Sequence, residues 1–352
     1  MIFDGITEKI IKTSRLTISY LEAGDPHHQP LIMIHGNVSS NLFWYETIKA
    51  FADEYWIIAP DMRGYGKTEA LPIDATRGLR DWSDDLKSLV EALKIKCPFH
   101  LIGWSMGGGI VMQYAIDNPS DLASMILINP ISPYGFGGTK GENGIPCNSS
   151  FSGTGGGAVN PRFIELIAQR YRGEDDPNSP RMVLNQFYFK PPFRVSRERE
   201  EILLDSMLST KLGDAFYPGD YESCEEWPGF APGKKGINNA FSPKYMNLSS
   251  IIDIVPKCPI LWVRGSDDLI VSDTSFFCFG FLGKSGFVPG WPGDDLYPPQ
   301  PMVTQTRYVL EQYKAKGGYY EEFVVEDAGH SPHIEKPHIF QQKVRSFLKV
   351  NS

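Results

Sequence analysis

The chain has 352 residues, enough at roughly 150 residues per domain for one large fold carrying an insertion or for two domains. Hydrophobic residues make up 41% and charged residues 22%, ordinary globular values that exclude wholesale disorder. Acidic residues (42) outnumber Lys and Arg (34), and the one short basic stretch, 194–199, is offset by Glu198, Glu200 and Glu201, so no nucleic-acid partner is expected.

The first twelve residues contain Asp4 and Glu8 and no apolar core. They do not read as a signal peptide, and no run approaches the ~18 apolar residues of a membrane span. Cys97, Cys147, Cys224, Cys258 and Cys278 are odd in number, scattered and never in a C-x-x-C pair. That pattern fits reduced thiols in a cytoplasmic protein and argues against a Cys-based metal site.

Between residues 30 and 129, short apolar runs bounded by turn residues alternate with stretches long enough for helices, the pattern of parallel strands joined by crossovers. Candidate strands are 16–22, 31–35, 56–60, 100–103 and 125–129; they lack polar alternation, as strands buried on both faces do. Residues 82–93 place Leu86, Leu89, Val90 and Leu93 at helical spacing, with Asp81, Asp84 and Asp85 near the end that the helix dipole favours for negative charge. The expected fold is a doubly wound, mostly parallel α/β sheet with helices on both faces and an inserted cap. Its core comprises residues 1–130 and 256–352. Residues 131–255, rich in Gly and Ser at the start and helical around 162–172 and 197–212, form the cap. Strand-like runs return at 259–264 and 322–325, and a second excursion at 276–301 is dense in Phe, Gly, Trp and Pro. Gly (34) and Pro (27) make about a sixth of the chain, which predicts long ordered loops.

Residues 103–107 read Gly-Trp-Ser-Met-Gly after the apolar run 99–102 and before a helical stretch. A G-x-S-x-G elbow needs small residues on both sides because its serine sits on a strained turn that lifts the hydroxyl above the sheet. Ser105 is the candidate nucleophile. A serine hydroxyl needs a base, and the base needs a carboxylate to orient it. Asp267 and Asp268 come just past the strand run 259–264, and His330 just past the run 322–325, so the chain order is Ser, Asp, His.

With His35-Gly36-Asn37 after one strand, the run Pro60 to Thr68 after the next and Gly329-His330-Ser331 near the end, the chain resembles the α/β-hydrolase superfamily over most of its length outside the cap. The resemblance implies that Asp268, three residues past the strand-end glycine, is the acid, with Asp267 as runner-up. It implies His330 as base, and an oxyanion hole made by the backbone N–H groups of Asn37 and Met106. His333 and His338 are read as packing or surface residues. Asn37 is similar to the Asn of dehalogenase-type H-G-N loops, but dehalogenases and epoxide hydrolases of this fold attack with Asp, whereas position 105 is Ser.

No metal is expected, since no histidine has ligand spacing. The Gly-rich run 229–236 lacks the second half of the phosphate-loop pattern and reads as a loop, so no nucleotide cofactor is expected. The resemblance implies hydrolysis of an ester, thioester or lactone of a small apolar substrate through an acyl-enzyme. Carbon–carbon bond hydrolysis, perhydrolase-type haloperoxidase chemistry on the same residues and a slow-turnover ligand receptor are the alternatives. Aromatics of the two excursions, such as Tyr171, Phe187, Tyr188, Trp227, Phe281 and Trp291, favour an apolar ligand over a sugar or polyanion. The sequence leaves the oligomeric state open.

Overall fold

The chain is described from a computed structural model covering residues 5–351; Asp4 and the rest of residues 1–4 lie outside the described residues. One sheet holds eight strands: β1 (Thr7–Lys12), β2 (Thr17–Ala23), β3 (Pro30–Ile34), β4 (Trp56–Pro60), β5 (Phe99–Trp104), β6 (Leu122–Ile128), β7 (Ile260–Gly265) and β8 (Tyr320–Val325). Their spatial order is β1-β2-β4-β3-β5-β6-β7-β8. β1 and β2 pair antiparallel, as do β2 and β4, and every later pair is parallel.

β3, β4 and β5 are buried at every position, which is why they read as continuous apolar runs. β1, Thr-Glu-Lys-Ile-Ile-Lys, was not anticipated from the sequence. It is an edge strand, exposed at five of six positions, and carries no alternation that periodicity would detect. β5, β6 and β8 also begin one to three residues before the apolar runs that mark them.

Helices α1 (Tyr45–Phe51), α2 (Arg80–Ala92) and α3 (Met106–Asp117) flank the sheet. α2 buries Trp82, Leu86, Leu89 and Val90, the apolar stripe expected there, while Leu93 falls at its C-cap. Its acids do more than meet the dipole. Asp85 lies one turn in and takes a buried two-bond contact from Arg63 (2.7 and 2.8 Å) and a third bond from Arg15 (2.7 Å).

After β3 the chain places β4 on one side and β5 on the other, so the carboxyl ends of β3 and β5 flank a crevice where ligands bind in open α/β sheets. The excursion between β6 and β7 runs over that end. It carries α4 (Pro161–Ala168), the helical turn Pro180–Val183 continuing into the π-helical turn Leu184–Tyr188, and the helix Arg197–Met207. α4 stops short of residue 172 because Arg170 is left-handed (φ 52°) and Tyr171 N–H bonds back to the Leu166 carbonyl (2.9 Å), a closure that ends helices. The later helix stops before 212 because Lys211 N–H is drawn to the Gly64 carbonyl (2.9 Å). In the run 229–236, read as a loop, Phe230–Pro232 pairs with Tyr221–Ser223. Arg199 fastens this excursion to α1 through Glu46 (2.5 and 2.7 Å). Among the described residues no helix is long and apolar enough to cross a membrane.

Candidate active site

β5 ends at Trp104, and the next residue turns the chain straight into α3. Ser105 holds φ 58° and ψ −122°, a conformation that L residues rarely adopt. The turn is sharp enough that a Cβ on Gly103 would lie 2.3 Å from the Gly107 carbonyl oxygen, and one on Gly107 would lie 2.3 Å from that of Ile34. Only glycine fits at either position. Ser105 N–H still reaches the Ile128 carbonyl (2.9 Å), so the turn is anchored on β6 while the side chain faces a cavity.

Asp268 follows β7. Its Oδ1 accepts from the backbone N–H groups of Ile270 (2.7 Å) and Val271 (3.1 Å). Its Oδ2 lies 2.8 Å from His330 Nδ1 and accepts from Asn129 Nδ2 at 2.6 Å. Asp267, beside it, is turned away: it is half-buried, takes the Ser266 hydroxyl (2.6 Å) and pairs with Lys190 (3.1 Å). Those two partners hold its carboxyl below the usual carboxylate range. His330 is buried, and its carbonyl accepts from Trp104 Nε1 (2.7 Å), which ties the histidine loop to the strand that leads to Ser105. Ser105 and His330 line the same cavity.

Asn37 and Met106 line that cavity too. Among the described residues neither of their backbone N–H groups donates to another protein group. The Asn37 side chain is committed elsewhere. Its Oδ1 accepts from Tyr65 Oη (2.7 Å) and Val38 N–H (3.0 Å), and its Nδ2 donates to Asn238 Oδ1 (3.3 Å). The preceding His35 is structural: Nε2 accepts from Met62 N–H (3.0 Å), so Nδ1 carries the proton and donates to the Gly36 carbonyl (2.8 Å). Burial lowers its pKa to about 4, which keeps it neutral. Asp61, in the run after β4, accepts from Asn41 N–H (3.0 Å) and Lys67 N–H (2.9 Å) and braces the same loop from beneath.

His333 is buried against Trp44 and Trp104, with no hydrogen-bond partner on either nitrogen, and burial lowers its pKa to about 3. His338, His27 and His28 are exposed, and His100 is buried beside Ser124 (2.8 Å). Two residues with a place in the site carry no sequence motif of their own. Asn129, at the carboxyl end of β6, also accepts from Gly265 N–H (3.0 Å), and Glu335 accepts from the backbone on both sides of His330. Position at a strand end is the one sequence signal for Asn129, and five-residue spacing from His330 the one for Glu335.

The cavity encloses about 600 Å³. Both excursions wall it, with Phe163, Phe187 and Tyr188 from the first and Phe276, Phe277 and Phe287 from the second. Phe281 and Trp291, two of the aromatics from which an apolar ligand is expected, are not among the lining residues. Phe281 stacks edge-on against Phe276 (5.1 Å), and Trp291 Nε1 donates to the Tyr297 carbonyl (2.8 Å). The polar residues of the lining are Asn37, Ser105, Asn160, Asn178, Gln186, Tyr188, Tyr217, Asn238 and His330, with no Asp, Glu, Lys or Arg among the lining residues. Among the described residues no cluster of His, Cys, Asp and Glu is arranged to hold a metal.

Comparison with known proteins agrees with this architecture. The chain is 35% identical over 136 residues to 2-hydroxy-6-oxo-6-phenylhexa-2,4-dienoate hydrolase of Comamonas testosteroni, covering 36% of this chain and 46% of that enzyme. It is 31% identical over 133 residues to the monoacylglycerol lipase ABHD6 of Bos taurus, covering 36% and 38%. The chain thus matches less than half the length of these relatives. Among solved structures, the esterase RhEst1 from Rhodococcus sp. ECU1013 superposes with a TM-score of 0.60 at 19% identity, covering 99% of this chain and 100% of that one. The esterase EaEST from Exiguobacterium antarcticum gives 0.60 at 16%, covering 97% and 100%. The family described as alpha/beta hydrolase fold matches residues 29–275, most of the chain and the whole stretch from β3 past Asp268. The chain belongs to the alpha/beta-hydrolase family.

Proposed function

We propose that the protein hydrolyses uncharged carboxylic esters, thioesters or lactones with an apolar acyl or aryl group, using Ser105 as nucleophile, His330 as general base and Asp268 as the carboxylate that orients it. The observation that carries this reading is the cavity: Ser105 and His330 open onto one aromatic-walled space of about 600 Å³ whose lining has no acidic or basic side chain apart from the histidine.

Ser105 Oγ attacks the carbonyl carbon as its proton passes to His330 Nε2, the nitrogen left free by the Nδ1 contact with Asp268. The carbonyl oxygen becomes an oxyanion that accepts from the N–H groups of Asn37 and Met106. Collapse breaks the bond to the leaving oxygen or sulfur, which takes the proton from Nε2. Water then repeats the sequence on the acyl-serine and restores Ser105.

The match to a dienoate hydrolase raises carbon–carbon cleavage as a second reading. A dienoate substrate carries a carboxylate, and burying one in a lining without a cation is costly. That asymmetry favours neutral esters. The test compares p-nitrophenyl butyrate with p-nitrophenyl hemisuccinate and labels the protein with a fluorophosphonate. The neutral ester is expected to win by at least about 100-fold in kcat/KM, with a single label on Ser105 and both signals lost in Ser105→Ala. Preference for the anionic ester, or a label on another residue, overturns the reading.

A further inference from the structure

We propose that Glu335 is a positioning residue that clamps the first excursion onto the loop carrying His330, so that one buried carboxylate sets both the seat of the histidine and the aromatic wall of the cavity. The inference rests on the proposed ester hydrolysis and assigns a role that its mechanism does not use. Glu335 ends the short helix Pro332–Glu335 and is buried. Gly329 N–H donates to both its oxygens (2.9 and 3.0 Å) and Ser331 N–H to Oε1 (3.2 Å), so the peptide groups on either side of His330 are held by one side chain. Its Oε2 accepts from Lys190 N–H (2.7 Å), which belongs to the excursion and not to this loop.

Lys190 closes a three-residue strap. Two residues earlier, the Tyr188 hydroxyl donates to the Asn37 carbonyl (3.0 Å) and lies within reach of that of Val38 (3.3 Å), and its ring is 6.1 Å from that of His330. The strap therefore spans from the loop after β3, which carries Asn37, to the loop after β8, which carries His330. Lys190 Nζ adds ion pairs to Asp267 (3.1 Å) and Asp327 (2.8 Å), next to Asp268 and on the His330 loop. The fit is close: a Cβ on Gly329 would lie 2.8 Å from the Lys190 nitrogen. A carboxylate with three backbone donors from two segments costs desolvation, and burial raises the Glu335 pKa against the pull of those donors. A surface loop would be held without such a group, whereas a jointly placed wall and base need a link of fixed length.

A double-mutant cycle tests the clamp. Glu335→Gln keeps the shape but sets an amide N–H against one of the backbone donors, and Lys190→Pro removes the excursion's donor. Phe189 already has the extended backbone (φ −116°, ψ 152°) tolerated before proline. Each change is expected to lower kcat/KM for p-nitrophenyl octanoate about 10-fold, and the pair together about 10-fold also, because either one breaks the same link. Lys190→Ala, which keeps the N–H, should lose clearly less than Lys190→Pro. Hydrogen exchange reads the link without reference to chemistry: segments 188–190 and 329–331 should both exchange faster in Glu335→Gln. Faster exchange of both segments in a protein whose wild type does not cleave esters supports the clamp and retires the ester reading alone. An additive loss of about 100-fold, a Glu335→Gln enzyme within two-fold of wild type, or deprotection of 329–331 without 188–190 overturns the clamp. Should Glu335→Gln not fold, Lys190→Pro gives the same exchange readout, and protection unchanged at 329–331 overturns it.

Discussion

Asn129 Nδ2 donates at 2.6 Å to the same Asp268 oxygen that His330 Nδ1 meets at 2.8 Å. The asparagine is left-handed (φ 39°), and its Oδ1 accepts from Gly265 N–H (3.0 Å), so it bridges the carboxyl ends of β6 and β7 and fixes where the carboxylate faces. Asn129→Gly keeps that backbone accessible while removing the bridge. We expect kcat for a p-nitrophenyl ester to fall about 10- to 100-fold with KM changed less than three-fold, as for loss of a bond to a charged group. A kcat within two-fold of wild type would show that Asp268 needs no such support.

The two neighbouring carboxylates should behave differently. Asp268 is buried with partners on both oxygens, whereas Asp267 is half-buried, faces away from His330 and pairs with Lys190. Asp268→Asn is expected to cost on the order of 10⁴ in kcat, the scale seen when a serine protease loses its carboxylate, and Asp267→Asn less than about three-fold. Steady-state kinetics on one ester decides it, and a dominant loss at 267 would exchange their roles.

Phe277 packs edge-on against Phe187 (5.2 Å), joining the walls contributed by the two excursions. Truncating it enlarges the cavity without touching Ser105 or His330. For Phe277→Ala, kcat/KM with a bulky aryl ester relative to the acetate should shift by about 10-fold, the value of one or two methylene-sized contacts. Equal losses for all esters with a lowered Tm would assign Phe277 to holding the fold.

His333 gives a pH dependence of stability. Its folded pKa, about 3, lies below the ordinary 6.5, so its neutral form contributes stability that is complete above pH 6.5 and is lost as pH falls toward 3. In His333→Phe the slope of unfolding free energy between pH 4 and 6 should become shallower by about 1.4 kcal/mol per pH unit. Buried His35 and His100, each at about 4, keep part of the acid loss. Asp61 acts in the opposite sense: raised to about 6 by burial, it favours the folded state as pH falls from 6 toward 4. Urea titrations across that range measure the difference, and an unchanged slope would mean that His333 titrates normally.

Residues 99–115 carried their local structure in the sequence, because an apolar run, two glycines around a serine and a helical stretch constrain one another within seventeen residues. The alternation from 30 to 129 likewise made the parallel sheet legible, since strands covered on both faces must be apolar throughout. β1 stayed hidden because an exposed edge strand satisfies its backbone by pairing and leaves no periodic trace. The resemblance favoured Asp268 over Asp267, and the structure sets Asp268 against His330; tertiary structure alone decided that Asn129 and Glu335 hold the loops and that Phe276, Phe277 and Phe287 line the cavity while Phe281 and Trp291 do not. Each of those outcomes depends on residues tens to hundreds of positions apart meeting at one sheet edge, and spacing along the chain does not encode the direction a side chain takes there.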